Sequence, residues 1–553
     1  MPVINFSYKD LCSLIGEDVP IETLYERIPM MGAVMESTDM TSDEMSVELF
    51  PDRADLYCVE GMGRGLRAFL DIEPGMTEYE VEETDIVFNV DKSVKPVRPV
   101  FLGAAVFDVE IDDTFLRSIM EMQEKLHVTI GRKRSKVAIG IHDLDKVTPP
   151  FTYKAVGPHD IRFVPLAKTE EWDLEEILQK HEKGVGYRHL LEGKEKYPII
   201  LDSEGYVLSF PPIINGTRTQ VTTDTKNLLI DVTGTDFKAV KGALDIICTA
   251  LAERGGSIGS VTIKDDGKDI IMPDLSSQSW HFDAKDCSSF LGIDIPAEEQ
   301  VEALRRMGLD SICEDDTVYV EVPSTRLDIM HVKDLYEDVA KGYGYEKFGN
   351  GGIGVSQTTG GLMPITAISE QLRDVMVGLG FTEVTTLTLS NDRDEFEISG
   401  LPKLDNVRVL NPITEDHTCL RSYLMPSLMR IFRRNKHRDL PQRIFEVSDV
   451  VVDEKRRKHI CGMIMNSKVS FTEIKSVTES VLREMGIDYK IEACAYRTFI
   501  PGRGAAVIVN GKEVGCFGEV SPQVITDYEI THPVAMFEID LVDYAKEHSS
   551  GLF

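Results

Sequence analysis

Val322-Pro323-Ser324-Thr325-Arg326-Leu327-Asp328-Ile329-Met330-His331-Val332-Lys333-Asp334-Leu335-Tyr336-Glu337-Asp338-Val339-Ala340-Lys341-Gly342-Tyr343-Gly344-Tyr345 is the most informative stretch of this chain. Pro323 and Ser324 supply a loop and helix-start signal, and Val332, Leu335 and Val339 recur at i, i+3 and i+7. That stripe predicts a helix from roughly Met330 to Lys341, ended by Gly342. Asp334, Glu337 and Asp338 stand at i, i+3 and i+4, so their carboxylates are expected on another shared face, with Asp328 just upstream. Four oxygen donors of this kind suit a hard cation such as Mg²⁺. The same residues also read as a solvated acidic face near a helix start, favoured by the helix macrodipole.

Around this stretch, residues 270–345 read as a compact acidic unit, with a helix at Ala297–Met307 and a strand at Val318–Val322. Gly349-Asn350-Gly351-Gly352-Ile353-Gly354 follows as the most linker-like segment. Beyond it an amphipathic helix is expected at Ile365–Leu379. Helices then alternate with strands such as Arg443–Val452 and Ala505–Val509. Towards the N-terminus, residues 90–262 read as α+β. Strands are expected at Val137–Ile141, Tyr206–Phe210 and Leu228–Thr233, and helices at Arg117–Leu126 and Phe237–Glu253. The first 85 residues are mixed, with short helices at Phe6–Ile15 and Ile21–Ile28, a strand at Met45–Phe50 and a helical run at Tyr57–Leu70. Within that run Gly61-Met62-Gly63-Arg64-Gly65-Leu66 has Leu66 where a dinucleotide fingerprint needs its third glycine, and reads as a tight packing surface.

The 553 residues imply about three to five domains at roughly 150 residues each. The formal net charge of −33 argues against a simple nucleic-acid coat, but it is unevenly spread. Lys and Arg against Asp and Glu number 8 and 21 in residues 1–100, 19 and 23 in 101–250, and 12 and 28 in 251–400. They number 18 and 13 in 401–500, the one basic stretch, and 3 and 8 in 501–553. No signal-peptide pattern and no apolar run of transmembrane length occurs. The nine cysteines are scattered, with no C-x-x-C pair, which fits reduced thiols. A cytoplasmic, multidomain, soluble protein is expected.

Two common catalytic signatures are absent: no G-x-x-x-x-G-K-[ST] and no H-E-x-x-H. Ser209 to Thr217 and Leu229 to Asp236 each read as a strand running out into small polar residues, which suits either a small-molecule pocket or ordinary turns. No nucleophile–base pair is visible, so any hydrolysis there relies on positioned water. Arg430, Arg433, Arg434, Lys436, His437 and Arg438 crowd one helix and its exit, facing either phosphates or acidic neighbours. Arg132-Lys133-Arg134-Ser135-Lys136 is expected as a solvated turn.

Taken together these segments resemble the β subunits of phenylalanine–tRNA ligase in their shorter archaeal and eukaryotic cytosolic form. Glu48-Leu49-Phe50-Pro51-Asp52-Arg53-Ala54-Asp55-Leu56 with Val59-Glu60-Gly61 is similar to that family's N-R-P-D-type signature, Ala54 replacing the usual proline. Pro323–Tyr345 matches P-S-x-R-x-D-I … D-L-x-E-[DE]-V-A-x-x-Y-G-Y. Phe499–Arg503, Val514–Val520 and Phe537–Asp540 match the terminal pattern. The resemblance implies an α+β multidomain chain: an N-terminal α/β domain (1–88), an α+β tRNA-editing domain (89–264), a small helical domain related to nucleic-acid-binding folds (268–345), and a class II synthetase-like antiparallel-sheet domain without an active site (360–553).

It further implies a tetramer of two α and two β chains, ATP-dependent attachment of phenylalanine to tRNA-Phe on the α chain, and hydrolysis of mischarged Tyr-tRNA-Phe on this one. Ser209, Asn215, Asp231 and Thr233 are then the expected editing residues. Asp328, Asp334, Glu337 and Asp338 are the expected Mg²⁺ ligands, acting with the α chain. The helices Ile365–Leu379 and Leu424–Asn435 are expected at the α interface. A membrane is not expected as a partner. A DNA-binding role for the 270–345 unit is disfavoured by the net −16 of residues 251–400 (12 basic, 28 acidic).

Overall fold

The computed structural model describes residues 2–39, 41–349 and 360–541, so the glycine-rich stretch expected as a linker lies outside the described residues beyond Gly349. The chain divides into two compact units, Met1–Gly354 and Val355–Phe553.

The first unit opens with a three-stranded antiparallel sheet, Val3–Ser7 against Glu44–Leu49 against Ala33–Asp39. The helix expected from Phe6 begins only at Tyr8. Ile4 and Phe6 are buried around an exposed Asn5, a two-residue alternation that makes a strand. Ser7 then caps the Tyr8–Ile15 helix by accepting from Asp10 N at 3.1 Å, and Gly16 closes it in the left-handed region. The Val59–Phe69 helix crosses this layer closely: a methyl group at Gly61 would overlap the Asp55 carbonyl, and one at Gly63 would press on Leu14. The glycine run is therefore a packing surface, as its sequence suggests.

Two sheets make the next region. A five-stranded sheet runs Val81–Glu82, Ser257–Gly259, Val100–Phe107, Leu228–Gly234, Val137–Asp143. A seven-stranded sheet runs Ile214–Asn215, Val207–Phe210, Tyr197–Leu201, Phe151–Val156, Val87–Val90, Val261–Asp265, Lys268–Met272. The sheets thus draw in residues on both sides of the expected 89–264 span. The Phe237–Ala252 helix, almost wholly buried, packs on the strands Val100–Phe107 and Leu228–Gly234. Its run Gly242–Leu251 is buried throughout, which belongs in a core rather than at a surface.

The unit expected to be a small helical domain carries a three-stranded antiparallel sheet, Gln278–Asp283, Thr317–Val322 and Asp310–Glu314, beside three helices. That expectation is corrected to α+β. Two of the strands escape sequence reading because only Phe282 in the first and Ser311 in the last are buried, leaving no apolar run. The Val332–Tyr343 helix packs on Ala297–Arg306, its Leu335 and Val339 buried as the stripe predicts.

The second unit is built on a seven-stranded sheet in the order Thr382–Glu383, Gln442–Val452, Lys455–Met465, Val534–Asp540, Lys512–Val520, Phe499–Val509, Lys490–Ala493. All neighbours are antiparallel except the first pair. One apolar cluster joins the sheet to the helices Pro364–Gly378 and Phe471–Glu484, and another joins it to Met425–Arg434. No helix among the described residues is long and apolar enough to cross a membrane.

Buried charge inside this sheet couples its stability to pH. His459 Nδ1 lies 2.7 Å from Glu538 and Nε2 lies 3.7 Å from Asp540. Burial alone would lower its pKa, but the two carboxylates outweigh it and push the value up to about 9. A raised imidazolium contributes stability in full below its unfolded value, about 6.5, and loses it as pH rises through about 9. Calorimetry of the protein should therefore show the transition of the 355–553 unit falling between pH 6.5 and 9, by up to about 3 kcal/mol. His459→Gln should flatten that fall; a slope unchanged by the substitution would contradict the assignment.

Candidate functional site

Alternation along one strand and pairing along another bring the four expected editing residues together. Asp231 and Thr233 are two apart on Leu228–Gly234, so they share one face of the five-stranded sheet. Ser209 and Asn215 are direct cross-strand partners at the edge of the other sheet. All four line one cavity of about 300 Å³, together with Ile139, Gly140, Ile141 and the segment Phe210–Ile214. That volume is at the lower end of the range for small-molecule sites.

Asp231 is 2% exposed, and an isolated carboxylate so deeply buried would be expensive. Its Oδ2 lies 2.6 Å from His142 Nε2 and accepts weakly from the Ser209 hydroxyl at 3.5 Å. His142 is itself fully buried, and its Nδ1 lies 2.7 Å from the Thr219 hydroxyl. Both contacts are short enough that each must carry a hydrogen, so the imidazole is locked in orientation and Oδ2 is fully engaged. Oδ1 is then the oxygen of Asp231 able to meet a ligand in the cavity. Space for the carboxylate comes from a strand neighbour: Asp231 pairs with Gly140, where a side chain would run into it.

Thr233 is aimed by a second buried group. Arg98 donates from Nε to the Thr233 hydroxyl at 2.8 Å and from Nη2 to its carbonyl at 2.7 Å. Burial pushes the Arg98 guanidinium down to about 10, still charged at neutral pH. Because the Thr233 oxygen accepts from Arg98, its own hydrogen is free to point elsewhere. Asn215 Nδ2 reaches the Ile141 carbonyl at 3.5 Å, a contact at the limit of hydrogen bonding. Opposite, Arg134 donates to the Ile213 carbonyl at 2.9 Å and stacks 4.5 Å from the Tyr187 ring. Sequence reading missed His142, Arg98 and Gly140. The missed signal is register: strands 137–143 and 228–234 pair residue for residue, which sets Gly140 opposite Asp231.

The four expected Mg²⁺ ligands do not converge. Arg326, buried, donates from Nε and Nη2 to Asp328 at 2.9 and 2.7 Å and from Nη2 to Asp338 at 2.6 Å. Against the effect of burial, Arg326 holds the Asp328 carboxyl below its ordinary range. Asp334 instead closes a capping box, accepting from Met330 N and His331 N at 2.8 and 2.7 Å. Glu337 is exposed and pairs with Lys341 at 2.8 Å. Among the described residues no three His, Cys, Asp or Glu side chains are grouped to hold a metal ion. Within this chain the set of four does not fit a shared cation, since two of its charges are matched by an arginine. The expectation of one shared face fails because the Val332–Tyr343 helix turns Asp338 into the core and Glu337 out of it.

The same arginine joins the two signature segments. Arg53 and Asp55 form a buried bidentate pair at 2.9 and 2.8 Å, and both feel the charge of Arg326. Despite burial, Arg53 draws the Asp55 carboxyl down to about 2. In the second unit Arg430 is paired with Asp394 and Arg433 with Glu529, so the exposed cations of the expected basic surface are chiefly Arg434, Lys436 and Arg438.

Comparison with known proteins gives a consistent picture. Residues 354–541 match the family model for the phenylalanyl tRNA synthetase beta chain CLM domain, 280–345 the tRNA synthetase B5 domain and 113–247 the B3/4 domain. The chain is 44% identical over 542 residues to the phenylalanine–tRNA ligase beta subunit of Methanothrix thermoacetophila, covering 98% of this chain and all of that one. It is 43% identical over 544 residues to the corresponding subunit of Archaeoglobus fulgidus, covering 98% of each. Among solved structures, an N-terminal fragment of the phenylalanyl-tRNA synthetase beta subunit from Pyrococcus horikoshii is similar with a TM-score of 0.60 and 38% identity. It covers 62% of this chain and 99% of that fragment.

A methyl group at Gly140 would overlap the Asp231 carboxylate and crowd His142 Nε2. Gly140→Ala should therefore lower stability by about 1–3 kcal/mol, the cost of overpacking a closed core. The shift is read from the urea midpoint; a midpoint within error of wild type would show that the Asp231–His142 pair has slack the geometry denies it.

Proposed function

The chain belongs to the phenylalanine–tRNA ligase β-subunit family, and from that premise we propose that it works as the editing half of a cytoplasmic α₂β₂ enzyme. In this reading the α chain uses ATP to attach phenylalanine to tRNA-Phe, and the cavity between the sheets of residues 81–272 hydrolyses tRNA-Phe that carries tyrosine. The observation that carries the reading is the convergence of Ser209, Asn215, Asp231 and Thr233 on one small cavity whose central carboxylate is held by a buried histidine.

The chemistry follows from the donors and acceptors. Tyrosine and phenylalanine differ by one hydroxyl, which an apolar synthetic site rejects poorly. A buried acceptor does the reverse: a phenolic hydroxyl satisfies it, whereas phenylalanine leaves it unpaired. Asp231 Oδ1 and the Thr233 and Ser209 hydroxyls are the groups placed to pair with that phenol or to hold a water against the ester carbonyl. No covalent intermediate is needed: water adds to the carbonyl, and the ester oxygen of the tRNA ribose leaves with a proton. The walls from Ile139, Ile141 and Ile213 take the ring and keep bulk water away.

A partner chain is supported by apolar side chains left in solvent. Leu410 is 92% exposed and Ile413 99%, and Leu387 and Val377 are also exposed. These, with the outer faces of Pro364–Gly378 and Met425–Arg434, are the surface proposed for the α chain. If a cation is shared with α, Asp334 and Glu337 are the carboxylates of this chain not locked by Arg326.

Asp231→Ala should slow hydrolysis of Tyr-tRNA-Phe by about a hundredfold or more while leaving Phe-tRNA synthesis intact, measured on the assembled tetramer. Unchanged deacylation would remove the residue from the site. Asp334→Ala should raise the Mg²⁺ concentration needed for tetramer assembly, followed by light scattering during Mg²⁺ titration; a wild-type titration curve would sink the cation's link to this helix.

A further inference from the structure

The basic run Arg132–Lys136 is a tied left-handed turn at the rim of the cavity. Arg132, Lys133 and Arg134 have φ of 46°, 54° and 66°, three successive residues in a region that side chains rarely adopt. The turn is over-determined: Arg132 N donates to Thr129 O at 3.0 Å, Arg134 N to His127 O at 3.1 Å and Lys136 N to Gly131 O at 2.9 Å. Backbone held this way persists only where its surroundings enforce it, and it recurs where side chains must be aimed. Here it divides the cations. Arg134 turns inward to line the cavity, while Arg132 and Lys133 stay exposed.

Lys183 also lines the cavity and is exposed, and with exposed Met120 and Gln220 it marks where the cavity opens. The facing acids are few. Glu124 pairs with Arg134 at 3.4 Å, and Asp236 pairs with Lys136 at 3.5 Å and lies near Arg132. Among the described residues no ion pair engages Arg132, Lys133 or Lys183. A chain of net charge −33 thus presents a small cationic rim where its cavity meets solvent.

Resting on the deacylase reading, we propose that Arg132, Lys133 and Lys183 grip the phosphates of the single-stranded RNA end whose terminal ester enters the cavity. With the acyl group inside, the terminal ribose sits at the mouth and the next phosphates pass over the rim. Cations on a fixed turn meet them without ordering a loop on binding.

The experiment uses the α₂β₂ tetramer and two substrates, Tyr-tRNA-Phe and 2′(3′)-O-tyrosyladenosine, which carries the same ester without phosphate. For Arg132→Gln/Lys133→Gln, the KM for Tyr-tRNA-Phe should rise about tenfold. The dependence of log(kcat/KM) on log salt should be shallower by about 1.4, because two phosphates of a single strand are no longer neutralised. Hydrolysis of tyrosyladenosine should stay at the wild-type rate. Lys183→Gln should likewise raise the KM for Tyr-tRNA-Phe. Wild-type KM and salt slope in the double variant would overturn the rim assignment, as would equal losses on both substrates. A wild-type tetramer that cleaves neither ester would instead refute the deacylase reading on which the rim rests.

Discussion

A carboxylate sealed between two sheets must be answered by a partner, and the pairing of Asp231 with His142 is the constraint around which the candidate site is organised. His142 is fixed by Thr219 behind it and holds Oδ2 of Asp231, a residue that lines the cavity. Gly140 on a flanking strand leaves room for the group. Arg98 does for Thr233 what His142 does for Asp231, holding one polar atom so that another faces inward. Polar groups placed this way are oriented before a ligand arrives, so little is lost in reorganising around it.

The second organising feature is the buried charge around Arg326. It draws Asp328 and Asp338 together and lies close to the Arg53–Asp55 pair, so the two signature segments near residues 53 and 326 belong to one electrostatic cluster in the first unit. Removing one member would leave an uncompensated buried charge, which costs far more than losing a surface pair. This gives a structural reason for carboxylates that the family resemblance assigns to a cation.

Much of the fold was legible in the sequence because periodicity survives in it. The helices Ile21–Met30, Ala297–Arg306, Val332–Tyr343 and Pro364–Gly378 and the strands Val137–Asp143 and Leu228–Gly234 stand within a few residues of their expected places. Gln278–Asp283 and Asp310–Glu314 were illegible, since their partners and not their own residues decide that they are strands. The site divides in the same way. The segments holding Ser209, Asn215, Asp231 and Thr233 read as a pocket or as turns, the four are named through the family resemblance, and they line one cavity. His142 and Arg98 are missed and Arg132–Lys136 reads only as a solvated turn, because their places at the cavity exist only through cross-strand register and backbone handedness. Asp338 shows the opposite failure: helical spacing located it, yet only packing reveals that its charge faces Arg326 rather than solvent.

The central claim is that this cavity reads a phenolic hydroxyl and uses it to select an ester for hydrolysis. The most direct measurement is the ratio of hydrolysis rates for Tyr-tRNA-Phe and Phe-tRNA-Phe on the wild-type tetramer under single-turnover conditions. The account predicts that the tyrosyl ester is cleaved faster by roughly a hundredfold or more, the discrimination expected when one substrate leaves a buried acceptor unpaired. Equal rates for the two esters would contradict it.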